Sequence, residues 1–103
     1  MPVLSEAELT KRLSAMTDWS VKRGEITRTY QLASFPFAIE FVSRIGDLAE
    51  AADHHPDIDI RYDKVKISLS THDEKGITEK DFALAAQIES ARPWTMPVMA
   101  GLE

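Results

Sequence analysis

Apolar residues in this chain recur first at helical spacing and then at strand spacing, and the alternation repeats up to a third helical stretch. A repeat near 3.6 residues buries one stripe of a helix, whereas a repeat of 2 buries one face of a strand. Neither pattern can exchange for the other without exposing its apolar set. The order helix, hairpin, helix, hairpin, helix is therefore the strongest constraint on the fold.

The first helix is expected over about Glu6–Met16. Ser5 and Glu8 form a Ser-x-x-Glu capping box, Leu4 and Leu9 sit at staple positions, and Leu9, Leu13 and Met16 make a buried stripe. Trp19 and Val21 then alternate with polar residues. Ile26, Arg28, Tyr30 and Leu32 do the same beyond Gly24, which reads as a hairpin. A second helix starts at Ser34-x-Pro36, carries the stripe Phe37, Phe41, Ile45, Leu48 and Ala52, and is closed by Pro56. Ile58, Ile60 and Tyr62, then Val65, Ile67 and Leu69, form a second hairpin around Asp63-Lys64. Thr78 opens the third helix with Asp81 as its reciprocal cap. Phe82, Ala85, Ala86 and Ile88 face inward, and a tail with Trp94 and Met96 follows Pro93.

A length of 103 residues fits one domain spanning 1–103. The pattern predicts an α+β fold in the order α-β-β-α-β-β-α, a four-stranded antiparallel sheet with helices packed on one face. The other face is then solvated or covered by a second subunit. Hydrophobic residues at 44% and charged residues at 28% suit a folded soluble chain. The absence of cysteine excludes disulfides and thiolate chemistry and fits a reducing cytoplasm. A net charge of -5 opposes nucleic-acid binding, and there is neither a secretory signal pattern nor a membrane-spanning run.

All three histidines stand at the ends of elements: His54 and His55 after the second helix, His72 after the fourth strand. Such residues can simply complement a helix dipole or sit in solvent. They are also the side chains that titrate near neutral pH, hence candidates for proton transfer. At such positions they carry little core packing, so replacing them is expected to leave the fold intact. Adjacent histidines diverge, and no ligand spacing accompanies them, so neither a metal nor another cofactor is expected. Ser70-Thr71-His72-Asp73 forms a polar strand end, and Asp81 reads first as a cap.

One pattern is more specific. Glu50, three residues, His54-His55-Pro56, five residues, Tyr62, nine residues, His72, eight residues and Asp81 fix seven positions within 32 residues. This resembles the signature of the pterin-4a-carbinolamine dehydratase family at every fixed position. Lys64-Val-Lys-Ile-Ser-Leu-Ser-Thr-His-Asp and Gly76-Ile-Thr-Glu-Lys-Asp-Phe also look like that family. The resemblance implies a hydro-lyase that removes water from a 4a-hydroxytetrahydropterin and recycles the pterin used by aromatic amino acid hydroxylases. It implies His54, His55 and His72 as the catalytic set, with His54 and His72 as the acid–base pair and His55 orienting the pterin. Asp53, Ser70, Thr71 and Asp73 resemble the remaining substrate contacts. Glu50 is expected to orient a histidine, while Asp81 and Tyr62 are expected to be structural. Family members form homodimers and homotetramers, and some are non-catalytic assembly modules, which is the alternative reading here.

Overall fold

The structure, a computed structural model, describes residues 2–92. The expected tail with Trp94 and Met96, and Pro93 before it, lie outside the described residues. The element order is α1 Glu6–Ala15, β1 Ser20–Lys22, β2 Glu25–Gln31, α2 Phe35–Ala52, β3 Asp57–Arg61, β4 Lys64–Leu69 and α3 Glu79–Ala91. The four strands form one antiparallel sheet in the order β1-β2-β4-β3. Both hairpins turn through left-handed residues: Arg23 (φ 54°) and Gly24 (φ 77°) in the first, Tyr62 (φ 57°) in the second. Two consecutive positive φ values make the tight turn that matches the twist of antiparallel strands. Tyr62 is 73% exposed, in keeping with a turn role.

Register explains the two faces. Ile26 pairs with Leu69, Arg28 with Ile67 and Tyr30 with Val65, so one face is nearly all apolar. Thr27 with Ser68, Thr29 with Lys66 and Gln31 with Lys64 line the opposite, polar face. Ala38, Phe41, Ile45 and Ala49 of α2 and Phe82, Leu84, Ala85 and Ile88 of α3 are buried with the apolar sheet residues in one core. Tyr30 sits in the middle, edge-on to Phe41 at 4.9 Å and to Trp19 at 6.5 Å between ring centroids.

Four expectations need correction. Leu9, Leu13 and Met16 are only half-buried, because α1 lies at the rim of the core and buries no residue fully. Val21 is exposed, since β1 is a three-residue edge strand that the helices do not cover. On α3, Leu84 is buried and Ala86 is exposed. On α2, Phe41 and Ile45 of the expected stripe are fully buried, but Ala52 at its end is exposed. The apolar side chains that α2 turns outward are Phe35 and Ile39, 46% and 43% exposed.

Arg28 shares the core face with Tyr30. Its guanidinium lies 4.2 Å from the Tyr30 ring centre and pairs with Glu89, which also accepts from Trp19 Nε1 at 3.0 Å. The Tyr30 hydroxyl is buried without a hydrogen-bond partner among the described residues. Burial, reinforced by the charge of Glu89, pushes its pKa far above the ordinary tyrosine value. An unfolded tyrosine ionises near about pH 10 while folded Tyr30 keeps its proton. Its contribution to stability is thus complete below about pH 10 and is lost as pH rises through the folded value. Tyr30→Phe is expected to match or exceed wild-type stability at neutral pH, because it deletes an orphan hydroxyl. It is also expected to flatten the decline above about pH 10. Thermal melts of both proteins from neutral to alkaline pH check this; parallel alkaline declines would disprove it.

Candidate active site

The end of α2 sets the site. Ala52 is its last helical residue, and Asp53 takes a left-handed conformation (φ 52°) as its cap. The His54 amide returns to Ala49 O at 3.1 Å, a tight helix stop that reverses the chain. The helix therefore ends before Pro56 comes into play. Because of this reversal, His54 and His55 leave in different directions.

His54 turns inward, its side chain only 10% exposed, with Nε2 2.6 Å from Asp81 Oδ1. His55 turns outward, 62% exposed, with Nε2 2.9 Å from Glu50 Oε1. The histidine that Glu50 meets is His55. The expectation that histidine replacement spares the fold is corrected for His54, which supplies a donor to a buried carboxylate.

β4 stops at Leu69. Thr71 then bridges Gly76, with Thr71 N to Gly76 O at 2.8 Å, and the enclosed segment His72–Glu74 makes a single 3₁₀ turn. His72 is carried on this turn, exposed, and its ring bonds no protein group among the described residues. Gly76 is tightly approached, since a Cβ there would lie 2.9 Å from Val3.

α3 begins with Thr78 and Asp81 as a capping box. Asp81 is fully buried. Its Oδ2 accepts from the Thr78 amide at 2.9 Å and from the Thr71 hydroxyl at 3.0 Å. Asp81 therefore caps the helix and also holds His54, a second contact that the capping pattern does not reveal.

These pieces enclose an open pocket of about 200 Å³ lined by Asp53, His54, His55, Thr71, His72, Asp73 and Lys80. Six of the seven expected contact residues line it. Ser70 does not, and Lys80 was missed because nothing in the signature marks the position before Asp81. Larger depressions occur on the polar sheet face (about 330 Å³) and beside α1 and α3 (about 360 Å³), but neither is lined by a histidine. Among the described residues, no group of three or more His, Asp or Glu is arranged to hold a metal ion, and no helix is long and apolar enough to cross a membrane.

Comparison with known proteins agrees with this fold. Residues 2–91 match the sequence model of the family described as Pterin 4 alpha carbinolamine dehydratase. A Herpetosiphon aurantiacus protein named "Putative pterin-4-alpha-carbinolamine dehydratase" is 64% identical over 89 residues, 86% of this chain and 93% of that protein. One of the same name from Chloroflexus aurantiacus is 60% identical over 89 residues, 86% and 96% of the two chains. The crystal structure of a transcriptional coactivator/pterin dehydratase from Brucella melitensis superposes with a TM-score of 0.84 at 31% identity, covering 88% of this chain and 99% of that one. A pterin dehydratase-like protein identified as a RuBisCO assembly factor in the alpha-carboxysome superposes with a TM-score of 0.61 at 20% identity, over 72% and 86%, a likeness of fold alone. The fold and these matches together define an α+β domain of the pterin dehydratase class. The chain belongs to the pterin-4a-carbinolamine dehydratase family, a family of hydro-lyases.

Thr71 is buried and bonds both Asp81 and Thr78 Oγ1, the latter at 2.7 Å. Thr71→Val leaves those groups short of a partner and is expected to cost about 1–3 kcal/mol of stability. Urea denaturation measures it, and an unchanged midpoint would show that Thr71 is not structural.

Proposed function

We propose that this chain dehydrates 4a-hydroxytetrahydropterins, with His54 and His72 transferring protons and His55 orienting the substrate. The observation that supports this most directly is the convergence of three histidines from two separate loops on one open pocket. The reaction breaks the C4a–O bond and removes the N5 proton, giving a C4a=N5 double bond in a quinonoid dihydropterin, plus water. An acid must protonate the departing hydroxyl and a base must take the N5 proton, and imidazoles do both near neutral pH. Asp53, Thr71 and Asp73 supply hydrogen-bonding groups at the wall, with Ser70 nearby in the chain. The pocket is smaller than the roughly 300–1,000 Å³ typical of drug-sized ligands, in keeping with a ring system whose side chain projects into solvent. The proposed chemistry needs no metal or organic cofactor. Its physiological place is recycling of the pterin used by aromatic amino acid hydroxylases, in the cytoplasm.

The test is stopped-flow dehydration of a 4a-hydroxytetrahydropterin. Wild type is expected to accelerate it with a bell-shaped pH dependence that belongs to the site as a whole. His54→Gln, which keeps an amide donor toward Asp81, and His72→Ala are each expected to slow turnover by about 10²-fold or more. His55→Ala is expected mainly to raise KM. Folded variants that turn over at the wild-type rate would favour the non-catalytic interaction module.

We further infer a homodimer or homotetramer. Phe35 and Ile39 stand four residues apart on one outward strip of α2, and the β3 edge shows Ile60 at 36% exposure beside Tyr62. A second copy of the chain covers such surfaces with closed symmetry. Light scattering is expected to give a multiple of 11.6 kDa. A single-chain mass at micromolar concentration would refute it.

A further inference from the structure

The protons around Asp81 can be placed one by one. The Lys80 amide donates to Thr78 Oγ1 at 3.2 Å, so that hydroxyl uses its own proton elsewhere. Its other neighbour is Thr71 Oγ1 at 2.7 Å, which in turn lies 3.0 Å from Asp81 Oδ2. Each hydroxyl has one proton to give. The chain therefore runs one way, from Lys80 amide to Thr78 hydroxyl to Thr71 hydroxyl to Asp81. The Thr78 amide adds a second donor on Oδ2 at 2.9 Å.

Two of these donors, the Thr71 hydroxyl and the Thr78 amide, end on Oδ2 and hold the carboxylate as an acceptor. The group facing Oδ1 is His54 Nε2 at 2.6 Å. A carboxylate held as an acceptor by those donors accepts across this contact as well, so the hydrogen lies on Nε2. Neutral His54 is accordingly the Nε2–H tautomer, and its Nδ1 carries a lone pair. Nδ1 bonds no protein group among the described residues, while the ring lines the pocket.

We propose that Asp81 is a positioning residue that fixes the tautomer of His54 and thereby makes His54 the proton acceptor of the site. His72 has neither ring nitrogen held and takes the complementary role of donor. The assignment rests on the dehydratase reading: His54 Nδ1 removes the N5 proton while a protonated His72 delivers one to the departing hydroxyl. The net proton count is unchanged and one water leaves.

Asp81→Asn tests the assignment at a single atom. Asn Oδ1 can occupy the place of Asp81 Oδ2 and still accept from Thr78 N and Thr71 Oγ1, which preserves the cap. Asn Nδ2 then replaces Oδ1 and presents N–H to His54, forcing Nε2 to accept and the ring proton onto Nδ1. In another His–Asp pair, an Asp→Asn exchange that left the geometry intact but inverted the tautomer lowered kcat by about 10⁴-fold. The expectation here is a loss of about 10²-fold or more in kcat with KM nearly unchanged, the scale of one proton-transfer group.

The experiment combines nitrogen-15 NMR of the full-length protein, with the His54 ring assigned by its loss in His54→Gln, and steady-state kinetics. Circular dichroism checks the fold of Asp81→Asn. The expected results are a wild-type Nε2–H tautomer, inversion to Nδ1–H in the variant, and loss of kcat at preserved KM. A wild-type Nδ1–H tautomer overturns the proposal, as does a folded Asp81→Asn with wild-type kcat. If the variant does not fold, the wild-type tautomer alone decides. A wild type without dehydratase activity would sink the functional reading, while the tautomer measurement would still decide what Asp81 does to His54.

Discussion

The buried carboxylate of Asp81 is the interaction on which the site depends. A carboxylate removed from water costs several kcal/mol unless donors replace its hydration. Here the donors come from three places: the N-terminus of α3, Thr71 beyond β4, and His54 beyond α2. No two of these segments are continuous in the chain. One side chain therefore joins the start of a helix, the end of a strand and the end of another helix, and satisfying its charge is the same event as assembling the pocket wall.

The rest of the fold brings those three ends together. β4 lies in the interior of the sheet between β2 and β3, and its Val65, Ile67 and Leu69 are buried under α2 and α3. Its exit is consequently held where α2 ends and α3 begins. At the other end of the core, Arg28, Glu89, Trp19 and Tyr30 make a charged and aromatic cluster that ties the first hairpin to α3. Both ends of α3 are thus anchored by buried or half-buried carboxylates, Asp81 at its start and Glu89 near its finish. Neither the polar face of the sheet nor α1 takes part in holding the histidines.

Much of this was legible in the sequence, because period and capping are local. Every helix and strand followed from apolar spacing, and both capping boxes, Ser5 with Glu8 and Thr78 with Asp81, form as read. What failed was what spacing leaves undetermined. A period defines a stripe but not its width or its partner, so Leu84 was missed, and Ala86 and Ala52 were placed inside although both are exposed. The strand end was extended too far because a bridge such as Thr71 with Gly76 leaves no periodic trace. Of the pocket's lining, the signature marked the three histidines and the family resemblance Asp53, Thr71 and Asp73, whereas Lys80 was marked by neither and Ser70 was marked but lies off the pocket. Asp81 was half legible: capping occupies one carboxylate oxygen, and only the fold shows what meets the other.

The two adjacent histidines show how local geometry divides one chemistry into two tasks. Both face a carboxylate across less than 3 Å. For His55 and Glu50, 62% and 81% exposed, water competes with the contact and side-chain entropy opposes it, so the pair is worth at most about 1 kcal/mol and leaves the ring free to reorient. For His54 and Asp81, 10% and 0% exposed, little solvent competes and the carboxylate is itself locked by two further donors. The ring is then held in one orientation and one tautomer. The left-handed turn at Asp53 is what separates these environments, sending one histidine to a fixed post and its neighbour to an adaptable rim. Proton transfer requires a fixed distance and a defined lone pair, whereas gripping a ring substrate tolerates adjustment. The inward histidine is accordingly suited to the chemistry and the outward one to binding.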